Sequence, residues 1–349
     1  MHKIRVLIVE DSRVIREFLE YIIGQDPRLE VAGVAESAEE ALRVLDKVAP
    51  DVISMDIRLP GMNGFEATKQ IMSERPTPIV VVSASVEQED LQITMNALQA
   101  GALTVLEKPA GTTSAEYAAM AERLCTQLAI MSQVKVVRRR TSARLTPRPS
   151  QRPVRPMGGY AMLGIVSSTG GPNALMELLN GLGRDFPLPI LLVQHITSSF
   201  LDGFAAWLQS VSPFSVEIVK GRVVPGRGKV YLAAQEHHLR AELRCVRVDT
   251  GEPVCAQRPS GTVLFGSMAS SLGNRALGVL LTGMADDGAA GLLEIRRAGG
   301  YTIAEDESTA VVYGMPAEAV RLGAVNESLP LPAIASRILE LTTTSREVA

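Results

Sequence analysis

Short apolar runs rich in valine and isoleucine alternate with helical patterns through the first third of the chain. The helical patterns repeat their apolar residues with a period near 3.6, as Val14, Phe18 and Ile22 do after the first run. Runs of this length and composition are typical of parallel strands that are buried on both faces. The runs span residues 4–9, 31–35, 52–55, 79–82 and 104–106, and the last helical pattern lies near residues 114–133. Five such βα units predict a doubly wound α/β domain.

Residues 132–157 interrupt this pattern with a basic, proline-containing stretch. It carries eight lysines and arginines, four prolines and no acid, and few large apolar residues follow Val137. Without these eight, 27 basic residues stand against 38 acidic ones, a net charge of −11. The composition predicts a semi-extended linker between two domains. The alternative is a tail that binds nucleic acid, but the stretch lacks the aromatic side chains that stack on bases.

Composition and cysteine usage narrow the class of protein. With 46% hydrophobic residues over 349 positions, the chain can build two cores and is not intrinsically disordered. No apolar run reaches the length of a transmembrane helix, and acidic residues by position 10 exclude a signal peptide. The cysteines Cys125, Cys245 and Cys255 form no CxxC pair, which argues against a disulfide framework and a zinc site. We therefore expect a cytoplasmic protein without membrane insertion.

Polar side chains gather where the predicted strands of the first domain end. Glu10 and Asp11 follow the first strand, Asp56 the third, Ser83 the fourth and Lys108 the fifth. Ligands of such folds bind at the carboxyl ends of the strands, and a carboxylate cluster there suits Mg²⁺. An aspartate beside Mg²⁺, a lysine and a hydroxyl can attack a phosphoryl group and hold the acyl phosphate formed. The alternative, that the acids only cap loops and helices, explains single residues but not the set.

The segments VLIVEDS, MDIRLPGMNG, VVSAS and EKP resemble the receiver domain of two-component response regulators, over residues 1–131. The resemblance implies a flavodoxin-like (βα)5 fold that is phosphorylated by a histidine kinase. It makes Asp56 the phosphoacceptor and, together with Glu10 and Asp11, a ligand of Mg²⁺. It also implies that Ser83 is the switch hydroxyl and that Lys108 contacts the phosphoryl group.

A further strand–turn–helix pattern begins after the linker. A predicted strand at residues 161–166 leads into the segment SSTGGP and a helix from about residue 173. Backbone N–H groups and the positive end of the helix dipole meet at such a turn. The turn therefore suits a phosphate, or the oxyanion that forms beside a serine nucleophile. Alone, the segment is a weak signal, since it lacks the Walker lysine and the GxSxG pattern.

A serine nucleophile needs a base, and three histidines lie in this half of the chain. His195 follows the apolar run at residues 190–194, at the predicted carboxyl end of a strand. His237 and His238 lie in the polar segment AAQEHHLRAE, which predicts a loop or hairpin. A structural role is the default interpretation for each histidine. For His195 a catalytic role is favoured over a structural one, because a serine is expected at the same edge of the sheet.

Another predicted strand, residues 277–282, ends in the segment GMADDG before a helix. Its acids, Asp286 and Asp287, are either helix caps or the group that orients a catalytic imidazole. Serine, histidine and aspartate at three strand ends would meet at one edge of a sheet. The chain order Ser…His…Asp differs from those of familiar hydrolases. The residues alone do not decide between the two serines of SSTGGP or between the two acids.

The segments SSTGGP, QHI, QRPS, LLTGMADDGAAGL and VVYGMPAEAV together resemble the catalytic domain of chemotaxis protein-glutamate methylesterases, from about residue 160 to 341. The resemblance implies Ser168 as nucleophile, His195 as base and Asp287 as the orienting acid. Thr169 and Met284 would lie beside the oxyanion site, where the Met284 N–H would contribute. The expected domains are a receiver (1–131), a linker (132–157) and a doubly wound α/β catalytic domain with a mostly parallel sheet (158–345).

Several positions depart from the two family patterns, all of them outside the triad and the phosphorylation site. They concern the receiver switch and the edge of the catalytic site that meets the substrate. The departures are Val105 for an aromatic switch residue, Val166-Ser167 for Gly-Ala, Ile196-Thr197-Ser198-Ser199 for a proline-containing segment, Gly261-Thr262 for Val-Asp and Ala285 for a glycine. With valine at position 105, rotation of an aromatic ring cannot be the receiver's output.

The resemblance implies phosphorylation-activated hydrolysis of glutamate γ-methyl esters on methylated chemoreceptors, with release of methanol and deamidation of receptor glutamines. A chemotaxis histidine kinase would be the phosphodonor, Mg²⁺ would serve receiver phosphorylation, and the esterase reaction would need no cofactor. In this family the unphosphorylated receiver covers the active-site mouth. The alternatives are a serine hydrolase acting on a different ester and a non-enzymatic binding output. A nucleic-acid partner is not expected, since no helix-turn-helix pattern or basic face is evident.

Overall fold

The computed structural model describes residues 3–83, 88–108, 114–134 and 159–343. They form two compact units, unit 1 up to Ala143 and unit 2 from Arg144 onward. The predicted linker lies outside the described residues from position 135 on, as do the last two positions of the predicted catalytic domain. Within the described part of the chain, no helix combines the length and apolar character needed to cross a membrane.

Unit 1 is a parallel sheet of five strands in the order β2-β1-β3-β4-β5. This order confirms the predicted flavodoxin-like fold. The order reverses between β1 and β3, so the carboxyl ends of these neighbouring strands flank a crevice. The elements are β1 (Ile4–Val9), α1 (Arg13–Gln25), β2 (Leu29–Ala35), α2 (Ala38–Val48), β3 (Val52–Met55), α3 (Gly64–Glu74), β4 (Ile79–Ser83), α4 (Gln88–Ala100), β5 (Thr104–Glu107) and α5 (Ser114–Met131).

Burial explains where the elements of unit 1 begin and end. The strands β3 and β4 are buried at every position, as their largely apolar sequences predict. Strand β2 begins two residues before its valine-rich run, because Leu29 pairs with Ile4 and is fully buried. On α1 the buried face includes Leu19, Ile22 and Ile23, which follow the helical period.

Unit 2 contains a parallel sheet of seven strands in the order β15-β14-β13-β6-β7-β10-β8. The prediction of a mostly parallel, doubly wound sheet is confirmed. Its strands are β6 (Met162–Ser167), β7 (Ile190–Gln194), β8 (Ser215–Val219), β10 (Lys229–Ala233), β13 (Ala276–Leu280), β14 (Tyr301–Glu305) and β15 (Glu327–Leu329). Its helices are α6 (Gly171–Leu182), α7 (Leu201–Val211), α8 (Gly261–Leu272), α9 (Ala289–Arg297), α10 (Met315–Arg321) and α11 (Leu331–Thr342).

The centre of this sheet brings three chain segments to one edge. Strand β6 lies between β7 and β13, and all three are buried throughout. Helix α8 packs closely on β6 at Gly164, where a Cβ atom would lie 2.4 Å from Met268 Sδ. Because parallel strands end on the same side, the segments after β6, β7 and β13 are neighbours.

A small antiparallel sheet, which the sequence did not predict as a separate sheet, covers part of α8. It consists of β9 (Arg222–Val223), β11 (His238–Ala241) and β12 (Val246–Asp249), in the order β11-β12-β9. The expected hairpin at AAQEHHLRAE is the β11–β12 pair. Its first residue, His238, is buried, whereas His237, just before the strand, is half-buried.

Candidate functional site

Each unit carries a group of polar side chains at the carboxyl edge of its sheet, and in unit 1 that group is acidic. Glu10 follows β1 directly, and Asp56 follows β3. Both side chains are buried, whereas Asp11 is exposed. One oxygen from each of the three carboxylates lies within 4.8 Å of the others. The structure thus brings together the three residues expected to hold Mg²⁺, and an all-oxygen set fits that ion.

Lys108 completes this group from the end of β5. Its Nζ lies 2.9 Å from Glu10 Oε1 and 2.8 Å from Asp56 Oδ2. The backbone N–H of Lys108 donates to the backbone carbonyl of buried Ser83 at 2.9 Å. Burial raises the pKa of Asp56 and of Glu10, and repulsion from Asp56 adds to the rise at Glu10. Burial alone would lower the pKa of Lys108, but the two carboxylates raise it. The site therefore favours cations.

Two residues that the sequence analysis missed shape the loops of this site. The buried guanidinium of Arg16 donates from Nη1 to the carbonyls of Glu10, at 2.9 Å, and Asp11, at 3.2 Å. Gly64, the first residue of α3, lies so close to the phosphoacceptor loop that a Cβ atom would be 2.1 Å from the Asp56 carbonyl oxygen. Neither contact leaves a pattern in the sequence, because both involve backbone carbonyls.

In unit 2 the two adjacent serines differ in access. Ser167 ends β6, is fully buried, and donates a hydrogen bond from Oγ to Gln194 Oε1 at 2.7 Å. Ser168 is the first residue beyond the strand and is half-buried. Its N–H donates to the Thr282 carbonyl at 3.0 Å, which ties the turn to the segment after β13. Of the two hydroxyls, only that of Ser168 belongs to a side chain with access from solvent.

His195 and Asp287 are hydrogen-bonded to each other. His195 follows β7, and its Nε2 lies 2.8 Å from Asp287 Oδ2. Because a carboxylate only accepts hydrogen bonds, Nε2 carries the proton and Nδ1 carries the lone pair. The imidazole is thus turned the opposite way to the familiar serine-protease triad, where Nδ1 faces the acid. Asp286 points elsewhere, since its side chain is exposed.

The carboxylate of Asp287 lies at the start of α8. It accepts hydrogen bonds from Ser260 Oγ at 2.6 Å, Gly261 N–H at 2.6 Å and Thr262 N–H at 3.0 Å. The positive end of the helix dipole adds to these donors. Burial alone would raise the pKa of Asp287, but hydrogen bonds from His195, Ser260 and Thr262 lower it to about 2. Of the two roles expected for this acid, capping the helix that follows it is wrong, because Gly288 is the N-cap of α9. Asp287 instead accepts from the first N–H groups of α8, whose N-cap is Ser260.

Gln194 joins the turns that carry Ser168 and His195. Its side-chain Nε2 donates to the Ser168 carbonyl at 2.9 Å and to the His195 carbonyl at 3.0 Å. The Ser167 hydroxyl, donating to Oε1, fixes which end of the amide faces these carbonyls. Gly171, at the start of α6, leaves the space that this amide fills, since a Cβ there would lie 2.0 Å from Gln194 Oε1. Sequence reasoning missed Gln194 because its partners are mainly backbone groups.

The residues expected beside the oxyanion site flank Ser168. Thr169 is buried, and its carbonyl accepts a hydrogen bond from Thr282 Oγ1 at 2.9 Å. Met284 is half-buried and follows Gly283, where a Cβ atom would lie 2.8 Å from Ser168 Cβ. The Thr282–Met284 segment therefore packs directly on the serine turn.

Comparison with known proteins assigns a family to each unit. The CheB methylesterase family matches residues 163–338, and the response regulator receiver domain matches residues 6–118. The chain is 57% identical over 343 residues to protein-glutamate methylesterase/protein-glutamine glutaminase 2 of Paramagnetospirillum magneticum, covering 97% of each chain. The chain belongs to the CheB methylesterase family. A protein-glutamate methylesterase/protein-glutamine glutaminase of Nitrosospira multiformis is 43% identical over 344 residues, again covering 97% of each chain.

Among solved structures, the CheB methylesterase catalytic domain of Thermotoga maritima is similar to unit 2. It is 32% identical, with a TM-score of 0.50, and the match covers 52% of this chain and 99% of that one. The sequence departures of this CheB family member now have structural contexts. Ser167 orients Gln194, and Gly261 and Thr262 donate to Asp287. Ala285 has φ +67°, in the left-handed region that favours the glycine expected there.

Proposed function

We propose that this chain hydrolyses glutamate γ-methyl esters on chemoreceptors, under the control of phosphorylation in unit 1. The observation that carries the proposal is the hydrogen bond between His195 Nε2 and the buried Asp287 carboxylate, at the same sheet edge as Ser168. Sequence identity over nearly the whole length to a protein-glutamate methylesterase supports the choice of substrate.

Ser168 is the proposed nucleophile. Its Oγ attacks the ester carbonyl carbon, and the hydroxyl proton passes to Nδ1 of His195, the nitrogen that Asp287 leaves available. The Asp287 carboxylate stabilises the positive charge that forms on the ring and keeps its orientation. Nδ1–H then protonates the leaving methoxide, and methanol departs from an acyl-enzyme in which Ser168 is esterified to the glutamyl side chain.

Negative charge develops on the carbonyl oxygen in this step. Ser168 lies three residues before Gly171, the first residue of α6, so N–H groups at the start of that helix and its dipole face the turn. The Met284 N–H, in the segment packed on Ser168, is the proposed second donor. Water, activated by His195, then hydrolyses the acyl-enzyme and restores the serine.

The same intermediate accounts for the glutaminase activity in the names of the relatives. Attack of Ser168 on the side-chain amide of a receptor glutamine gives the identical glutamyl ester. His195 then protonates the departing amide nitrogen, and ammonia leaves in place of methanol. The product of both reactions is a receptor glutamate, so one triad serves two substrates.

In unit 1, Asp56 is the proposed phosphoacceptor and a chemotaxis histidine kinase the proposed donor. Glu10, Asp11 and Asp56 would hold Mg²⁺, which offsets the negative charge of carboxylates and phosphoryl group when bound. Lys108, which already contacts Asp56, would form an ion pair with the phosphoryl oxygens. Ser83, at the end of β4, is the proposed hydroxyl that responds to the modification.

The test is methanol release from membranes that contain methylated chemoreceptors, with full-length protein, Mg²⁺ and a small phosphodonor. We expect release that rises on addition of the phosphodonor and is lost in His195→Ala. Hydrolysis of small esters without methanol release would instead favour a serine hydrolase with another substrate. Binding to receptor membranes without release of either product would favour a non-enzymatic output.

A further inference from the structure

A second histidine, His238, is connected to the proposed catalytic acid, Asp287, through hydrogen bonds to one intervening residue. His238, the first residue of β11, is 1% exposed, and its Nδ1 accepts a hydrogen bond from the Ser260 N–H at 3.2 Å. Ser260 is the fully buried N-cap of α8, and its Oγ donates to Asp287 Oδ1 at 2.6 Å. The imidazole is therefore linked to the Asp287 carboxylate through Ser260 alone.

The partners of His238 fix its tautomer. Its Nε2 lies 2.9 Å from the carbonyl oxygen of Glu252, which can only accept a hydrogen bond. The Ser260 N–H at Nδ1 can only donate one. The ring is therefore neutral and protonated at Nε2, and it serves the backbone of Ser260 as an acceptor. Both nitrogens are engaged, so a rotation of the ring would break both bonds.

We propose that His238 is a positioning residue of the esterase, which holds Ser260 so that the serine hydroxyl points at Asp287. This inference rests on the proposed role of Asp287 as the acid of the triad. Without an acceptor at Nδ1, the Ser260 N–H would be buried without a partner, a state that folded proteins avoid. The backbone at Ser260 would then move toward another acceptor and withdraw its hydroxyl from Asp287.

Such a movement reaches the reacting groups through the start of α8. Gly261 and Thr262, which follow Ser260 directly, also donate to the Asp287 carboxylate. A shift of Ser260 displaces all three donors together, so the carboxylate loses its fixed orientation toward His195. The chemical step depends on that orientation, whereas receptor binding does not. Loss of the His238 acceptor should therefore lower kcat and leave KM unchanged.

The experiment compares His238→Leu with His238→Asn in the phosphorylated full-length protein, by methanol release from receptor membranes. In His238→Leu we expect kcat to fall about tenfold, the size of one lost buried hydrogen bond, with KM unchanged. Asn keeps an oxygen acceptor close to the position of Nδ1, so His238→Asn should recover most of kcat. The matched control is His237→Leu, because the neighbouring His237 contacts the Gln235 carbonyl instead and lies outside this chain of hydrogen bonds.

A double-mutant cycle with Ser260→Ala separates positioning from general stability. If His238 acts through Ser260, His238→Leu should cost less activity in the Ser260→Ala background than in the wild type, because the hydroxyl is already absent and only the Gly261 and Thr262 donors remain to be displaced. Additive losses, or a folded His238→Leu protein with the kcat of the wild type, would overturn the proposal. Folding is followed by the fluorescence of Trp207, the only tryptophan of the chain, which lies in α7 of unit 2.

If His238→Leu does not fold, the comparison passes to His238→Asn and His238→Gln. The longer Gln side chain reaches the position of Nε2 rather than that of Nδ1, so Asn should retain more activity. The reverse order would contradict the proposal. A wild-type protein that releases no methanol would contradict the proposed function itself, and with it any role of His238 in that reaction.

Discussion

At the scale of single residues, Ser167 and Ser168 are neighbours in the chain with opposite environments. Ser167→Ala removes a hydroxyl that only orients the Gln194 amide, so methanol release should fall by a small factor. Ser168→Ala removes the proposed nucleophile and should lower kcat by about 10⁴-fold or more. Both are measured on the same receptor membranes. If Ser167→Ala inactivates the protein and Ser168→Ala has little effect, the nucleophile is Ser167 and not Ser168.

The two adjacent acids offer the same kind of comparison. Asp287→Asn would present an amide to His195 Nε2 and favour the wrong tautomer, so kcat should fall by about 10³- to 10⁴-fold. Asp286→Asn changes an exposed side chain and should stay close to wild type. Steady-state methanol release decides between them. Equal losses in the two variants would contradict the assignment of Asp287 as the orienting acid.

Glu305 is a buried acid close to the nucleophile that the proposed reaction does not use. It ends β14, is 1% exposed, and its Oε2 accepts the Thr282 N–H at 2.8 Å. Thr282 in turn accepts the Ser168 N–H through its carbonyl. Burial raises the pKa of Glu305 to about 7, although the hydrogen bond from Thr282 opposes the rise. A neutral carboxyl group therefore supports the serine turn in acidic solution.

This raised pKa makes the stability of unit 2 depend on pH. Between the ordinary pKa of 4.5 and about 7 the folded state binds a proton that the unfolded state releases. The free energy of unfolding therefore falls as the pH rises through this window, by on the order of 2–3 kcal/mol from this group. Glu305→Gln cannot ionise and should be more stable than wild type at about pH 8, with the difference shrinking toward about pH 5. Urea unfolding followed by Trp207 fluorescence measures it, and a pH-independent difference would contradict the expectation.

At the scale of elements, close approach between α3 and the loop after β3 shapes the phosphorylation site. Gly64→Ala would place a Cβ atom 2.1 Å from the Asp56 carbonyl oxygen and must displace that loop. Labelling of Asp56 by a small phosphodonor should slow about 10- to 100-fold. Gly24→Ala in α1 is the matched control, because its Cβ would meet no atom within 4 Å. Wild-type labelling of Gly64→Ala would show that the loop adapts without cost.

The elements that could be predicted from the sequence are those with a strong local pattern. Strands β1 and β3 were predicted at their observed bounds, because each is a short run of apolar residues that contains a single polar residue. Helix α6 begins at Gly171, two residues before the prediction, since Pro172 is acceptable in a first helical turn. The small sheet of β9, β11 and β12 was missed because its strands are short and carry charged residues.

The candidate sites were predictable to a similar degree. Among the residues expected at strand ends, Glu10, Asp56 and Lys108 meet in unit 1, and His195 meets Asp287 in unit 2, because parallel strands place their carboxyl ends along one edge. Choosing Ser168 and Asp287 over their neighbours depended on family resemblance, since periodicity does not distinguish adjacent positions in a turn. Gln194 and Ser260 could not be found, because their hydrogen bonds to distant segments exist only in the folded chain.

At the scale of the whole molecule, control requires that a change in unit 1 alters the activity of unit 2. The expectation that the unphosphorylated receiver inhibits the esterase predicts that a fragment starting near Met157 is more active than the unphosphorylated full-length protein. Coupling of about 1–3 kcal/mol corresponds to a difference of about 5- to 150-fold. The fragment lacks Asp56 and should be indifferent to the phosphodonor. Methanol release at equal enzyme concentrations measures this.

The Asp56→Asn full-length protein is the control for this comparison. It should stay at the basal rate with or without phosphodonor, because the nucleophilic carboxylate is replaced at almost constant volume. Chelation of Mg²⁺ should likewise keep methanol release by the wild-type protein at the basal rate when the phosphodonor is added. A fragment slower than the unphosphorylated full-length protein would exclude inhibition and require that the receiver assists the reaction.

The order of β6, β7 and β13 in the chain also fixes when the proposed triad can exist during synthesis on the ribosome. Asp287 lies 92 residues after His195, so a nascent chain carries the proposed nucleophile and base long before the proposed acid is translated. Domains generally fold as units in the order of their synthesis, so the phosphorylatable unit is complete first. We therefore expect a truncated product of interrupted translation to carry the phosphorylatable unit but, without the proposed acid, to lack esterase activity.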